Sequence, residues 1–314
     1  MTTFGDGVFE YGGAPVSGGR FSSPWATHYF VDYDNGKAGN PGTAPDRATQ
    51  TIAQAVALAS GGDVIYIRPR TYKLGTGFNR YTEDVTVTMG GDGGSGAVST
   101  NANMSLIGIS PVNVPQDFLG VRWIYATATP LTVDAPCLHI ENIGFFVEDG
   151  TYAINLRHNG ATRTQEGTTG FSAYNCAFKG DAQLYANGGN ELSIVHCRFQ
   201  AKYNGDVGGI NLVGSSNQVF RPIIRDCDFL GGNGTNMSGP PIIGAAPWHD
   251  ATIRDCHFLN DSATGVFISI AGSTSTGSIA NCQFAVADIS TTYIVEGGLI
   301  VTGAYDGGGL ATAS

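Results

Sequence analysis

Carboxylates are the residues of this chain best suited to chemistry, and two of them stand at matching places. Asp226 and Asp255 each follow an arginine and precede a cysteine, in Arg225-Asp226-Cys227-Asp228 and Arg254-Asp255-Cys256. Hydrolysis of a glycosidic bond needs two carboxylates held at a set separation. If the chain is an enzyme, Asp226, Asp228 and Asp255 are therefore the residues to carry it, with Asp181 and the pair Glu148–Asp149 as further candidates. The neighbouring Arg225 and Arg254 offer another reading, in which Asp226 and Asp255 are ion-paired corner residues and no residue is catalytic. His139, His196, His249 and His257 assemble no His-x-x-x-His or Ser/His/Asp pattern and read as corner or surface residues.

Metal chemistry is weakly signalled. Asp32-Tyr33-Asp34-Asn35-Gly36 begins like a calcium loop, with alternating oxygen ligands before a glycine, but Thr43 stands where the closing acidic residue belongs. A turn held by Asx hydrogen bonds accounts for the same residues. The six cysteines lack the Cys-x-x-Cys spacing of a zinc site. Five of them, Cys176, Cys197, Cys227, Cys256 and Cys282, share one place in a repeat, and Cys137 precedes another copy. They read as small buried hydrophobes with reduced thiols. Among the aromatics, Tyr185, Tyr203 and Trp248 could stack on sugar rings or belong to the core or a subunit interface.

The repeat that places these residues is a short phrase: Ile, two residues, a small or apolar residue, one more, then Phe. Its copies start at Ile140, Ala173, Ile194, Ile224, Ile253 and Ile279, with successive offsets of 33, 21, 30, 29 and 26 residues. A period of 20–50 residues signals a solenoid. The cysteine and phenylalanine alternate with a polar residue, as in a strand with one buried face. The Ile is out of phase with them, so a bend must intervene. Just before the Cys stand Asn142, Asn175, His196, Asp226, Asp255 and Asn281, residue types that tolerate the left-handed backbone of a tight corner. A third strand follows each phrase, as in Ala153–Leu156, Gly209–Leu212, Val266–Ile270 and Tyr293–Glu296. Three strands per coil predict an all-β, right-handed parallel β-helix of roughly nine coils, about 40 Å long at the usual strand spacing. Asn159–Gly170 and Gly231–Gly239 are predicted to leave it as loops.

Thr51–Ser60 has an apolar face through Ile52, Ala55, Val56 and Ala59 and is stopped by Gly61-Gly62, so a capping helix is predicted at about 51–60. The expected organisation is an N-terminal arm over 1–28, one β-helix domain over 29–303 and a C-terminal tail over 304–314. Formal net charge is −10 and only 13 % of residues are charged, with lysine at 37, 73, 179 and 202 alone. No basic patch suits a phosphate backbone, so nucleic acid is not an expected partner. No apolar run approaches a membrane span and no secretion signal follows Met1, which points to synthesis in a cytoplasm.

Tyr29–Asp32, Gly42–Pro45, Thr51-Ile52, Gly62–Ile67 and Pro69–Tyr72 resemble the start of pectate-lyase-like β-helix proteins, and Asn142, Asn175 and Asn281 resemble the asparagine ladder of that superfamily. The resemblance covers about residues 29 to 300 and departs at Arg70, where the family usually has Gly. It implies the right-handed β-helix, and it embraces lyases, hydrolases, epimerases and non-catalytic phage spikes and decorations. A lyase of this superfamily would need a Lys or Arg base and calcium-binding acids on one sheet face. Here the outward residues Asn155, Asn211 and Ser269 are neutral and Arg157 is the only base nearby. The expectation is a non-enzymatic structural protein on a virion surface, a capsid decoration or short spike made in the host cytoplasm. The alternative is a tailspike enzyme degrading host polysaccharide. The resemblance further implies a homotrimer, with other virion proteins and a host surface glycan as partners. Phe4, Phe9 and Tyr11 in the arm are the expected virion-docking anchors, since aromatic anchors carry much of the energy of an interface. No cofactor is expected beyond the weak calcium possibility at Asp32 and Asp34.

Overall fold

The computed structural model describes the backbone of residues 10–11, 14–15, 26–70, 80–88, 102–109, 120–125, 129–147, 152–158, 167–180, 182–200, 209–212, 219–230, 240–250, 251–259, 266–270, 274–285, 294–295, 298–306 and 309–311. One coil shows the construction. Ser172–Tyr174 is followed by Asn175, whose φ is 51°, and the chain turns into Ala177–Lys179, then Ala182–Ala186, then the short Gly189–Asn190. The next coil repeats the path in register, with Ala173 on Ile194, Phe178 on Phe199 and Leu184 on Ile210. Stacked coils make sheets of ten, nine and eight strands that are parallel but for one closing pair. The chain is a right-handed parallel β-helix.

Inward rows explain why the phrase repeats. Phe145, Phe178, Phe199, Phe229, Phe258 and Phe284 stack face on face along the rod, with centroid separations of 5.5, 4.8, 5.0, 4.8 and 4.8 Å. Strand spacing alone sets that distance, because identical inward positions lie one inter-strand step apart. The repeat cysteines form a second buried row. Each of Cys176, Cys197 and Cys227 reaches the carbonyl two residues before it and another on the preceding coil. All six thiols are free. Burial, then the adjoining Cys176 and Cys227, pushes the Cys197 thiol well up. Cys137 departs from the expected row. It stands at a different corner with φ 59° and is only half-buried. With a thiol-specific reagent, one of the six should therefore react in the folded protein and all six after denaturation without reductant. Loss of two mass units as a disulfide in the intact protein would contradict this.

Cys137 exposes a feature the repeat phrase does not announce. Cys137, Gly170, Glu191, Arg221 and Asp250 all have φ between 51° and 64° and link hydrogen bond to hydrogen bond from coil to coil. They form a second corner, entering the ten-stranded sheet, and Gly189–Asn190, Val219–Phe220 and Trp248–His249 make a small fourth sheet just before it. Gly167–Gly170, expected in a loop, already belongs to the rod, since Thr169 bridges to Asn190 and Gly170 turns the corner. Residues 159–166 and 231–239 of the expected loops lie outside the described residues.

The cap is helix α1, Ile52–Leu58, which buries Ile52, Ala55 and Val56. Thr51 and Gln54 form a reciprocal capping box, satisfying two donors that a helix start leaves open. Glu83 takes two more, accepting from the Ile52 and Ala53 amides at 2.9 and 2.8 Å, and its own carbonyl accepts from Trp123 Nε1 at 2.6 Å. Burial pushes the Glu83 carboxyl up, against the pull of those two amides. At the far end the structure differs from the expected tail. Ala304–Asp306 and Gly309–Ala311 form a hairpin that extends the nine-stranded sheet. His28 likewise belongs to the first strand of the ten-stranded sheet, His28–Val31, rather than to the arm. Phe4 and Phe9 lie outside the described residues, as does the side chain of Tyr11.

Candidate functional site

Asn142, Asn175, His196, Asp226, Asp255 and Asn281 occupy the first corner with φ between 51° and 57°. Their side chains pair along the edge. Asn175 Nδ2 donates to Asn142 Oδ1 at 2.6 Å, Asn281 Nδ2 donates to Asp255 Oδ1 at 3.3 Å, and His196 Nε2 stands 3.9 Å from Asp226 Oδ2. Arg225 Nε lies 3.0 Å from the Asp226 carboxylate and Arg254 Nε 3.5 Å from that of Asp255. Asp228 is on the outer face of the next strand, 2.9 Å from His257 Nδ1. The three candidate catalytic carboxylates are thus each engaged by a cation or imidazole of the rod itself. Asp181, Glu148 and Asp149 lie outside the described residues.

The Asp32 loop is an Asx turn. Asp32 Oδ1 accepts from the amides of Asp34 and Asn35 at 3.0 and 3.1 Å, and Oδ2 accepts from Asn35 Nδ2 and from Arg68. Partial burial opposes ionisation of Asp32, but these hydrogen bonds and the Arg68 charge hold its carboxyl below the usual value. Asp34 faces Arg70 at 3.9 Å, and the Arg70 guanidinium lies over the Tyr33 ring, 3.5 Å from its centroid. Arg70, where the resembled family usually has Gly, therefore ties this turn to the strand end. Among the described residues, no three His, Cys, Asp or Glu side chains converge as a metal site.

The outer face of the eight-stranded sheet presents Thr86, Thr132, Asn155, Tyr185, Asn211, Ile243 and Ser269 in one register row. All seven residues of the row are uncharged. Tyr185 stacks on Tyr152 with centroids 4.3 Å apart. Among the described residues, neither Asn155 Oδ1 nor Asn211 Oδ1, on either side of Tyr185, has a hydrogen-bond partner. Arg157, the base nearest this face, is clamped by Asp134 through Nε at 2.6 Å and through a second bond to the other oxygen. That pairing, working against desolvation, raises its affinity for its proton, the reverse of what a general base needs. Trp248, a possible sugar platform in the sequence, is fully buried. Tyr203 lies outside the described residues.

The ten-stranded sheet holds an arrangement that reading for local motifs missed. His139 and Glu141 leave the same strand on its outer side, and Ser172 pairs with His139 across the ladder. His139 Nδ1 lies 2.8 Å from Ser172 Oγ, and its Nε2 lies 3.3 Å from Glu141 Oε2. Far from being a surface residue, His139 is 6 % exposed and Glu141 7 %. The signal was present in the repeat: His139 and Ser172 are each one residue before the start of consecutive copies, 33 residues apart.

No protein-family model matches the chain, and no curated protein matches it. Among solved structures it superposes on a rhamnogalacturonan lyase with a TM-score of 0.49 and 14 % identity, covering 90 % of this chain and 74 % of that one.

Proposed function

We propose that this chain is a structural rod of a phage virion surface, a decoration or short spike, that does not cleave polysaccharide chains. The neutral outer face of the eight-stranded sheet carries the reading, because among the described residues that surface offers neither a free base nor a carboxylate pair. The resemblance in residues 29 to 300 to β-helix proteins that include phage spikes supports the virion setting. Apolar side chains left on the sides of the rod support side-by-side assembly of copies as a homotrimer. Ile300 is 67 % exposed, Leu259 50 % and Tyr174 42 %. Other virion proteins would be the partners of the arm, through Phe4, Phe9 and Tyr11.

A host surface glycan fits the same rod as a ligand rather than a substrate. The Tyr152–Tyr185 stack offers an aromatic surface on which a neutral sugar ring could stack. The alternative, a tailspike depolymerase, would use Asp226, Asp228 or Asp255. Incubation of the purified protein with pectin, alginate and capsular polysaccharides separates the two. No rise in reducing ends or unsaturated uronates is expected. A reproducible rise that Asp226→Ala or Asp255→Ala removes would replace this reading with the enzyme.

A further inference from the structure

We infer that Ser172, His139 and Glu141 form a nucleophilic centre that hydrolyses carboxylic esters. The inference rests on the outer face of the ten-stranded sheet and does not draw on the proposal above, which concerns glycosidic bonds; Tyr174 and Ile300, named there for assembly, share this sheet. Three groups in mutual contact meet the requirement for an activated serine, namely a nucleophile against a base and the base against an orienting acceptor.

The tautomer follows from the acceptor. A carboxylate only accepts, so the His139 proton belongs on Nε2, facing Glu141 Oε2 at 3.3 Å. That leaves the Nδ1 lone pair for the Ser172 hydroxyl at 2.8 Å, the state in which imidazole can take a proton. Glu141 is itself held, because its Oε1 accepts from Asn142 Nδ2 at 3.4 Å, and Asn142 is locked in the corner ladder by Asn175. The distribution of burial also suits catalysis. His139 and Glu141 are withdrawn from solvent, which strengthens their interaction, while Ser172 stays partly exposed between the buried Phe171 and Ala173. One strand further on, Ser193 continues the same outward row in register with Ser172 and is the nearest candidate for a second hydroxyl at the site.

The reaction balances without a cofactor. Ser172 Oγ bonds to the acyl carbon as its proton passes to His139 Nδ1, and Glu141 stabilises the imidazolium. The ester C–O bond breaks and the alcohol departs with the proton from Nδ1. Water then gives a proton to Nδ1 and its oxygen to the acyl carbon, and Ser172 leaves reprotonated, releasing the carboxylic acid. A compact acyl group suits a nucleophile bordered by Tyr174 on its own strand and by the neighbouring coils.

A fluorophosphonate probe and p-nitrophenyl acetate test this on the intact chain. The folded protein should gain one adduct, mapped by peptide mass spectrometry to Ser172. Ser172→Ala should abolish both the adduct and acetate hydrolysis, and Glu141→Gln should slow labelling at least tenfold while the thermal transition is kept. Ser278, in the same outward row but with no histidine beside it in register, should stay unlabelled. No adduct on the folded protein, an adduct mapped elsewhere, or hydrolysis unchanged in Ser172→Ala would overturn the inference. If Ser172→Ala does not fold, the adduct site on the natural sequence decides alone.

Discussion

Phe229→Ala should lower the unfolding free energy by about 3–5 kcal/mol, the usual cost of deleting a buried aromatic ring. Phe229 is 1 % exposed and lies between the rings of Phe199 and Phe258, at 5.0 and 4.8 Å with interplanar angles of 7° and 4°. Both stacking partners are held in register by parallel ladders, so neither can slide into the space the ring leaves. A cavity that cannot collapse puts the expected cost in the upper part of the range. Leu259, next to the buried Phe258 on the same strand but half exposed on the outer face, supplies the contrast. Leu259→Ala should change stability by no more than about 0.5 kcal/mol, as for surface positions generally. Urea denaturation of both variants measures the difference, and a Phe229→Ala cost no larger than that of Leu259→Ala would mean the aromatic column does not hold the coils together.

Gly209→Ala should be the most damaging change of one methyl group. Gly209 has φ 78°, and a Cβ there would stand 1.9 Å from the Pro241 carbonyl oxygen. That oxygen cannot retreat, because it accepts the Ile210 amide from the neighbouring coil at 2.8 Å. Gly209 also donates to the buried Gln183 Oε1 at 2.8 Å, and its carbonyl accepts the Leu184 amide at 3.0 Å, so three coils meet at this residue. Gly62 separates the two components of the cost. It has φ 88° but nothing within 4 Å of a Cβ. Gly62→Ala should cost only the left-handed strain, about 1–2 kcal/mol. Gly209→Ala should add the overlap, about 1–3 kcal/mol more. Equal shifts in the denaturation midpoints of the two variants would show that the coils can separate locally to accept the methyl group.

The inward half of the molecule was legible in the residues alone. Phe178, Phe199 and Phe229 recur because each must fill the same slice of the core, and Asn175, Asp226 and Asp255 recur because few side chains accept a left-handed corner. The second corner was not legible by that rule. Cys137, Glu191, Arg221 and Asp250 share no side-chain type, and the ladder of backbone hydrogen bonds holds them in left-handed geometry whatever they are. Trp248 shows the same limit for burial. Its neighbours in sequence, Pro247 and His249, do not reveal that it turns inward beside Gly244, whose missing side chain makes room for the indole.

Chemistry on the outer faces depended most on the third dimension. The β-helical solenoid, its buried phenylalanine and cysteine columns and its first corner were readable from residue types because each repeats one steric demand at every coil, and the capping helix was readable from its own apolar face and its Gly61-Gly62 stop. Only the tertiary structure decided that Arg157 is clamped by Asp134, that Asp228 meets His257, and that Ser172 meets His139 above Glu141. Outward side chains answer to no common core, and the excursions between coils vary in length. Which of them touch is therefore settled by the coil-to-coil register and by the rotamers that register allows.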